Sequence, residues 1–274
     1  MKFATADLNR LSAILAMAAE REIMPRFRNL AVGGIREKTS PQDLVTDADE
    51  AAEWLIRDEC AKAFPSALFV GEESVARDPS LLTKIAGAEL AIIVDPVDGT
   101  SNFAWGLPLF GVMAAVVSKG ETIAGLIYDP VGRDWQKGLK GEGAWVETES
   151  GSTRDLKVAS AVPLAELTGV ASWYLMSEPM RSATAANLAR VRAAFAYRCA
   201  AYEYRLVAGG LVHFSLHNKL MPWDHAAGVL IHAEAGGYSA TFDGQPYVPT
   251  KHEGGIISAP DQASWRLIRQ SILG

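Results

Sequence analysis

Two carboxylates, Asp95 and Asp98, enclose Pro96-Val97 and are followed at once by Gly99-Thr100. They come directly after Leu90-Ala91-Ile92-Ile93-Val94, an apolar run that reads as a buried strand. Pro96 has no N–H to give to a ladder, so strand pairing is expected to stop there, and Gly99 permits a tight change of direction. The loop then offers two acid side chains and the Val97 carbonyl together, which is an oxygen donor set suited to a hard cation such as Mg2+. The amides of Gly99 and Thr100 are expected to open a short helix, and a helix N-terminus receives phosphate. Taken alone, the same residues also make an ordinary surface turn.

Three further segments bear on that choice. Gly71-Glu72-Glu73-Ser74 follows the apolar run Leu68-Phe69-Val70, so Glu72 also stands at a strand end; a solvated acidic pair is the plain alternative. Lys38 precedes Asp43-Leu44-Val45-Thr46-Asp47-Ala48-Asp49, which is equally a capped helix start with acids at the positive end of the dipole. In Pro222-Trp223-Asp224-His225-Ala226-Ala227-Gly228, Asp224 either complements the dipole of its helix or reaches a cation beside the two loop carboxylates.

The elements that must position these groups are legible in part. Leu8, Leu11, Leu15, Ala18 and Ala19 recur at helical spacing, and Pro25 closes that helix. A second helix is expected from Asp47, capped by Thr46, with Ala48, Ala51, Ala52, Leu55 and Ile56 on its buried side. Strands are expected over Leu68–Val70, Leu90–Val94, Val112–Val117, Glu121–Tyr128 and Leu211–Leu216. Helices are expected over Pro179–Ala194, Tyr202–Ala208, Asp224–Ala235 and Asp261–Leu273, the third stopped by Gly236-Gly237. Strands gathered in groups before helices favour a layered α+β build over a doubly wound sheet. The polar stretch Glu147–Asp155 is the best seam between two sub-lobes, 1–148 and 149–274.

The 274 residues suffice for a substantial core, and 49% hydrophobic with 21% charged residues is the balance of a globular enzyme. No run reaches the ~18 apolar residues of a membrane span, and the N-terminal stretch lacks the apolar core of a secretory signal. Cys60 and Cys199 have no metal-ligand spacing, so a reducing cytoplasm is expected. A net charge of −6 argues against nucleic acid as a partner.

Together, Lys38 with Asp43-Leu44-Val45-Thr46 and Asp49, Gly71-Glu72-Glu73-Ser74, Asp95-Pro96-Val97-Asp98-Gly99-Thr100-Ser101-Asn102-Phe103, and Trp223-Asp224-His225-Ala226-Ala227-Gly228 with Glu234-Ala235-Gly236-Gly237 resemble the successive signatures of the inositol monophosphatase family. The resemblance spans nearly the whole chain, in the family's order and spacing. It implies an αβαβα layered fold, commonly a homodimer, and two to three Mg2+ ions. One ion would be held by Glu72, Asp95 and the Val97 carbonyl, a second by Asp95, Asp98 and Asp224, and a third more weakly near Glu72. It implies hydrolysis of a small phosphate monoester by metal-activated water, with inhibition by lithium. Glu72 and Thr100 would orient the water, Asp49 would take the Thr100 hydroxyl proton or its hydrogen bond, and the Gly99 and Thr100 amides would hold a phosphoryl oxygen. Thr100 is equally placed to serve as a helix cap, and Lys38 either screens the phosphate or pairs with a nearby acid.

The substrate side departs from the family pattern. Relatives carry Gly-Ser-Ala-Ala or Gly-Thr-Ala-Ala where this chain has Arg198-Cys199-Ala200-Ala201. Inositol-cleaving members place a Glu where this chain has His217, and an Asp where it has His213. His213 is expected to pack in the core, while His217, Ala200 and Arg198 are candidates for substrate contact. These changes favour a relaxed enzyme in which inositol 1-phosphate is not strongly preferred, with histidinol-phosphate, 3′-phosphoadenosine or fructose bisphosphate as alternative substrates. A binding role at the transcription machinery is the alternative of a different class.

Overall fold

Apolar residues on both faces of one strand decide the architecture. A computed structural model describes residues 3–31, 33–40 and 43–274; residues 1, 2, 32, 41 and 42 lie outside it. Helix α1 (Thr5–Ala18) is prolonged by a π turn, Ala19–Ile23, and ends in a 3-10 turn that contains Pro25. The antiparallel hairpin of β1 (Ile35–Ser40) and β2 (Asp43–Thr46) leads into α2 (Asp47–Ala63). Next come β3 (Leu68–Gly71), α3 (Glu72–Arg77), α4 (Ser80–Lys84), β4 (Ala91–Asp98) and α5 (Thr100–Ala104). The meander β5 (Gly111–Ser118), β6 (Glu121–Asp129), β7 (Asp134–Leu139), β8 (Gly143–Thr148) and β9 (Thr153–Asp155) completes a seven-stranded sheet in sequence order from β3. Its β3–β4 pair is parallel and the pairs from β4 onward are antiparallel.

The remaining chain builds β10 (Thr168–Ala171), α6 (Met180–Leu188), β11 (Ala193–Phe195), α7 (Ala200–Ala208), β12 (Phe214–His217), α8 (Pro222–Glu234), β13 (Tyr238–Thr241), β14 (Ile256–Ala259) and α9 (Gln262–Ile268). Its five strands form a second sheet in the order β11-β10-β12-β14-β13.

Alternation along β4 sends its side chains into two different cores. Ile92 and Val94 join Val112, Val116 and Leu126 beneath Leu8, Leu11 and Leu15 of α1 and Ala52 and Ile56 of α2. Ala91 and Ile93 face the other way with Met113 and Ile127, onto Tyr204 and Val207 of α7 and Ala227 and Ile231 of α8. The second sheet buries Phe214, Leu216 and Ile257 against Trp265 and Ile268 of α9. The layers run α-β-α-β-α, the α+β build expected above, and each fully buried Ile or Leu contributes about 1.5–3 kcal/mol. Among the described residues no helix is long and apolar enough to cross a membrane.

Several expectations need correction. The helix expected over Pro179–Ala194 stops at Leu188, because Ala193–Phe195 is drawn into parallel pairing with β10. The strand expected over Leu211–Leu216 begins only at Phe214, since Leu211 is exposed in the turn that follows Gly209-Gly210. Two of the five residues expected on α2's apolar face, Ala51 and Leu55, are only half-buried, while Asp49 and Glu53 are buried instead. The stretch 147–155 is the β8–β9 hairpin of the first sheet, and the chain passes to the second sheet between Asp155 and Thr168.

Ile93 lies at zero exposure two residues before Asp95. Ile93→Ala is expected to cost about 2–4 kcal/mol, read as a lower denaturant midpoint with an unchanged m-value.

Candidate functional site

Pairing between β4 and β5 does not stop at Pro96, as the sequence suggested; it shifts register and resumes. Asp95 pairs with Met113 and Asp98 with Gly111, so β4 spends one extra residue over Pro96-Val97. Residues three apart on a regular strand point to opposite faces, and a bulge of one residue cancels that offset. Both carboxylates consequently face the same way, and Asp224, from the first turn of α8, joins them: ligand atoms of all three lie within 4.8 Å of one another. The Asp95 carboxylate also accepts the Val97 N–H at 3.0 Å, which fixes the bulge.

Gly99 then turns the chain with φ 89°, a left-handed value that glycine adopts freely, and a Cβ there would sit 2.8 Å from the Leu109 carbonyl. The Thr100 hydroxyl begins α5 between two acceptors, the Val97 carbonyl at 3.0 Å and Asp49 Oδ1 at 3.1 Å. Asp49 is itself fixed by a capping box at the start of α2, where its other oxygen accepts the Thr46 N–H at 2.9 Å and the Thr46 hydroxyl. The cap and the link to Thr100 are one arrangement. Burial raises the Asp49 pKa to about 7, with Thr46 pulling it down and the Glu72 charge pushing it up.

Glu72 stands at the start of α3, outside the close group of three aspartates. Lys38 Nζ, on β1, lies 2.7 Å from Glu72 Oε1 and 2.5 Å from Glu73 Oε1. Burial acts to lower the Lys38 pKa, but the two carboxylates outweigh it and hold the ammonium protonated. Of the two sequence readings of Lys38, pairing with nearby acids is the one present here.

The turn that presents Glu72 rests on a residue the sequence did not reveal. Glu53, 1% exposed and one helical turn beyond Asp49, accepts the Glu73 N–H at 2.7 Å and the Ser74 hydroxyl at 2.6 Å. Gly71 makes room for it, since a Cβ there would fall 2.2 Å from Glu53 Oε2. The run Gly71-Glu72-Glu73-Ser74 is thus explained residue by residue: space for Glu53, a carboxylate paired with Lys38, an amide donor, and a hydroxyl donor. Its only sequence signal was an acid at i+4 from Asp49 on the buried side of a helix.

Opposite the aspartates, the N-terminus of α7 closes the site. The Cys199 thiol donates to Asp98 Oδ2 at 3.0 Å, and the Ala201 N–H donates to the same oxygen. Ala200 and Arg198 lie beside them in a cavity of about 180 Å3 whose lining also includes Glu72, Asp98, Thr100 and Asp224. His217 forms part of the wall, 5% exposed, stacked on Tyr204 with ring centroids 5.5 Å apart. Burial, and then the neighbouring His225, push its pKa well below the usual range, so it is a neutral imidazole. A carboxylate does stand near it, supplied not at position 217 but by Glu203 of α7, whose Oε2 is 3.5 Å from His217 Nδ1. Glu203 was missed because it reads as one acid on an otherwise amphipathic helix. His213 lies away from the cavity and accepts the Thr168 N–H at 3.1 Å; it is half-buried rather than packed in the core as expected.

The start of α8 is fixed through His225. Its Nε2–H donates to the Lys219 carbonyl at 2.6 Å, which leaves Nδ1 as the acceptor for the Tyr204 hydroxyl at 3.0 Å. Burial lowers its pKa to about 4, so Asp224 gains no cation from its neighbour.

The donor set fits a divalent cation. Burial is the first cause that raises Asp95, Asp98 and Asp224 above the usual carboxylate range; the mutual charge of the group and of Glu72 adds to it. Carboxylates crowded out of water in this way either hold protons or share a metal ion.

Compared with known proteins, the chain matches the model of the Inositol monophosphatase family over residues 7–272. It is 32% identical over 216 residues to an inositol-1-monophosphatase of Bacillus subtilis, with 78% of each chain covered. A Nus factor SuhB of Pasteurella multocida is also 32% identical, over 215 residues and 78% of each chain. The fold superposes on a crystal structure of extragenic suppressor protein suhB from Bartonella henselae with a TM-score of 0.81, 27% identity and 98% of each chain covered.

Glu53→Gln keeps the side-chain shape and removes half of the clamp on α3. The divalent-cation concentration for half-maximal activity is expected to rise about 10-fold, the usual cost of loosening a residue that orients a metal ligand. An unchanged cation dependence in the folded variant would leave Glu53 a role in the fold alone.

Proposed function

We propose, on the premise that this chain belongs to the inositol monophosphatase family and is a phosphoric monoester hydrolase, that it uses Mg2+ to hydrolyse small phosphate monoesters of polyols or sugars. The observation that carries this reading is the group Asp95, Asp98 and Asp224 beside the Thr100–Asp49 pair. Glu72, Asp95 and the Val97 carbonyl would hold one ion, and Asp95, Asp98 and Asp224 a second, with a third near Glu72. When bound, such ions supply positive charge against a phosphate dianion and lower the pKa of water.

The chain's own residues do the rest. Thr100 Oγ1 can take a proton from the attacking water as it passes its own to Asp49, whose pKa of about 7 suits a general base near neutral pH. The N–H groups of Gly99 and Thr100, at the left-handed turn of Gly99 that opens α5, would hold a phosphoryl oxygen. Lys38 keeps Glu72 from repelling the phosphate. At the alcohol end, Ala200, His217 and Arg198 form the wall, and a neutral imidazole offers fewer acceptors to ring hydroxyls than a carboxylate. The site is therefore read as permissive, with inositol 1-phosphate one substrate among several. A homodimer fits the exposed Trp173, Leu175 and Met180, and a cytoplasmic location fits two buried free cysteines.

A second reading, a partner of the transcription machinery, is favoured by the name Nus factor SuhB that relatives such as the Pasteurella multocida protein carry, and by no feature of the site. Capture of RNA polymerase by the purified chain, with no turnover of any phosphorylated metabolite, would raise it above the first.

Phosphate release across a panel of phosphorylated polyols, sugars and nucleotides should depend on added Mg2+. Asp95→Asn, at the ligand shared by both proposed ions, should lower turnover by about 10³-fold or more, or roughly 4 kcal/mol. Near-normal turnover of the folded variant would remove Asp95 from the metal site.

Raised carboxyl groups also set a pH dependence. A carboxyl whose folded pKa is above its unfolded value stabilises the fold fully below about pH 4, and that contribution is lost as pH rises through the folded value. Metal-free protein should lose stability from these groups toward about pH 8, where the deprotonated ligands bind a cation best. The rise in melting temperature on adding Mg2+ should accordingly be larger near pH 8 than near pH 5.5; the reverse order would contradict the assignment of these ligands.

A further inference from the structure

Arg198 immediately precedes the segment that holds Asp98, and its backbone is in the left-handed region, φ 57°. A residue with a Cβ adopts that conformation at a cost that glycine does not bear. Buried Glu203 keeps the turn in place, accepting the Tyr197 N–H at 2.9 Å. The Arg198 guanidinium is in turn fixed between two rings, 5.0 Å from the centroid of Trp105 and 5.6 Å from that of Tyr174. Among the described residues its one side-chain hydrogen bond goes to Ser101 Oγ at 3.3 Å, and no carboxylate pairs with it. Lys219 shares the cavity lining and likewise has no ion pair among the described residues. A strained, half-buried, stacked cation with most of its donors unused is poorly explained by the fold. It is well prepared to grip an anion, since little freedom remains to be lost on binding.

We propose that Arg198 and Lys219 form a second anion subsite in the catalytic cavity, so that the enzyme favours phosphate monoesters carrying another phosphate or a carboxylate. This rests on the hydrolase reading above and names the substrate class of that same site. The fork of Arg198 binds the second anion in two parallel hydrogen bonds, and Lys219 adds a point charge. The nearby Ser101 raises one competing role for Arg198, contact with the scissile phosphate itself. The two roles differ in selectivity, because a contact with the scissile group serves every substrate equally.

Arg198→Gly is the decisive variant, since glycine takes the backbone conformation at this position freely and the melting temperature should not fall. Matched pairs isolate the second anion: 2-phosphoglycerate against glycerol 2-phosphate, and fructose 1,6-bisphosphate against fructose 6-phosphate. The kcat/KM ratio in favour of the doubly anionic member should drop about 10-fold in at least one pair, the value of one charge-assisted hydrogen bond. Lys219→Ala should lower the same ratio by less. Ratios unchanged in both pairs would overturn the subsite, whether activity falls uniformly, as for a grip on the scissile phosphate, or not at all. Ligand-induced rises in melting temperature for the same compounds report binding separately. A chain that shows the selective loss of binding but releases no phosphate would retire the hydrolysis and keep the subsite; hydrolysis with unchanged ratios would retire the subsite alone.

Discussion

Mutual repulsion among carboxylates withdrawn from water is the constraint from which the rest of the site follows. Asp95, Asp98 and Asp224 come within 4.8 Å of one another with Glu72 close enough to raise them all. Such an arrangement opposes folding unless protons or cations offset it. Its persistence therefore depends on rigid parts around it. The bulge at Pro96-Val97 is tied by the Asp95–Val97 hydrogen bond, and β4 beneath it is buried along its whole length. Lys38 is drawn to Glu72 and Glu73 rather than to the three aspartates, and Lys219, whose charge acts on Asp224, makes no ion pair with them among the described residues.

The same constraint explains why buried acids appear on otherwise apolar helix faces. Asp49 and Glu53 share one side of α2 and neither is a free charge. One caps its own helix and accepts from Thr100; the other receives the amide and hydroxyl that start α3. A single helix packed on the first sheet thereby sets two separate strand-end loops against each other. Hydrogen bonds to charged acceptors contribute about 1.5–3 kcal/mol each when well made, enough to hold a loop in one geometry.

The middle helical layer ties the second sheet to this chemistry. The N-terminus of α7 holds Asp98, the first turn of α8 supplies Asp224, and β12 carries His217 into the same cavity wall. The residues proposed to meet the substrate thus come from elements that pack against the first sheet on one side and the second on the other. Arg198, Glu203 and His217 line the cavity from elements other than the bulge that holds Asp95 and Asp98.

The sequence by itself determined the buried strand that leads into Asp95, the helix capped by Thr46, and the acids at 72, 95, 98 and 224 as candidates, but not where that strand ends. Each is announced locally, by a continuous apolar run, a cap, or acids set beside Pro96 and Gly99. The layered α+β build was legible for the same reason, as were the helices α1, α2 and α8. Tertiary structure alone decided that Asp95 and Asp98 face one way, because a bulge is a property of two paired strands and not of one. It decided that Ala193–Phe195 leaves its helical pattern, since the backbone bonds offered by β10 outweigh the intrinsic preference of alanine. It also decided the partners of Glu53, Glu203 and Arg198. Their neighbours Glu73, His217, Trp105 and Tyr174 lie between 14 and 93 positions away along the chain, and no local pattern of one segment records what another will bring against it.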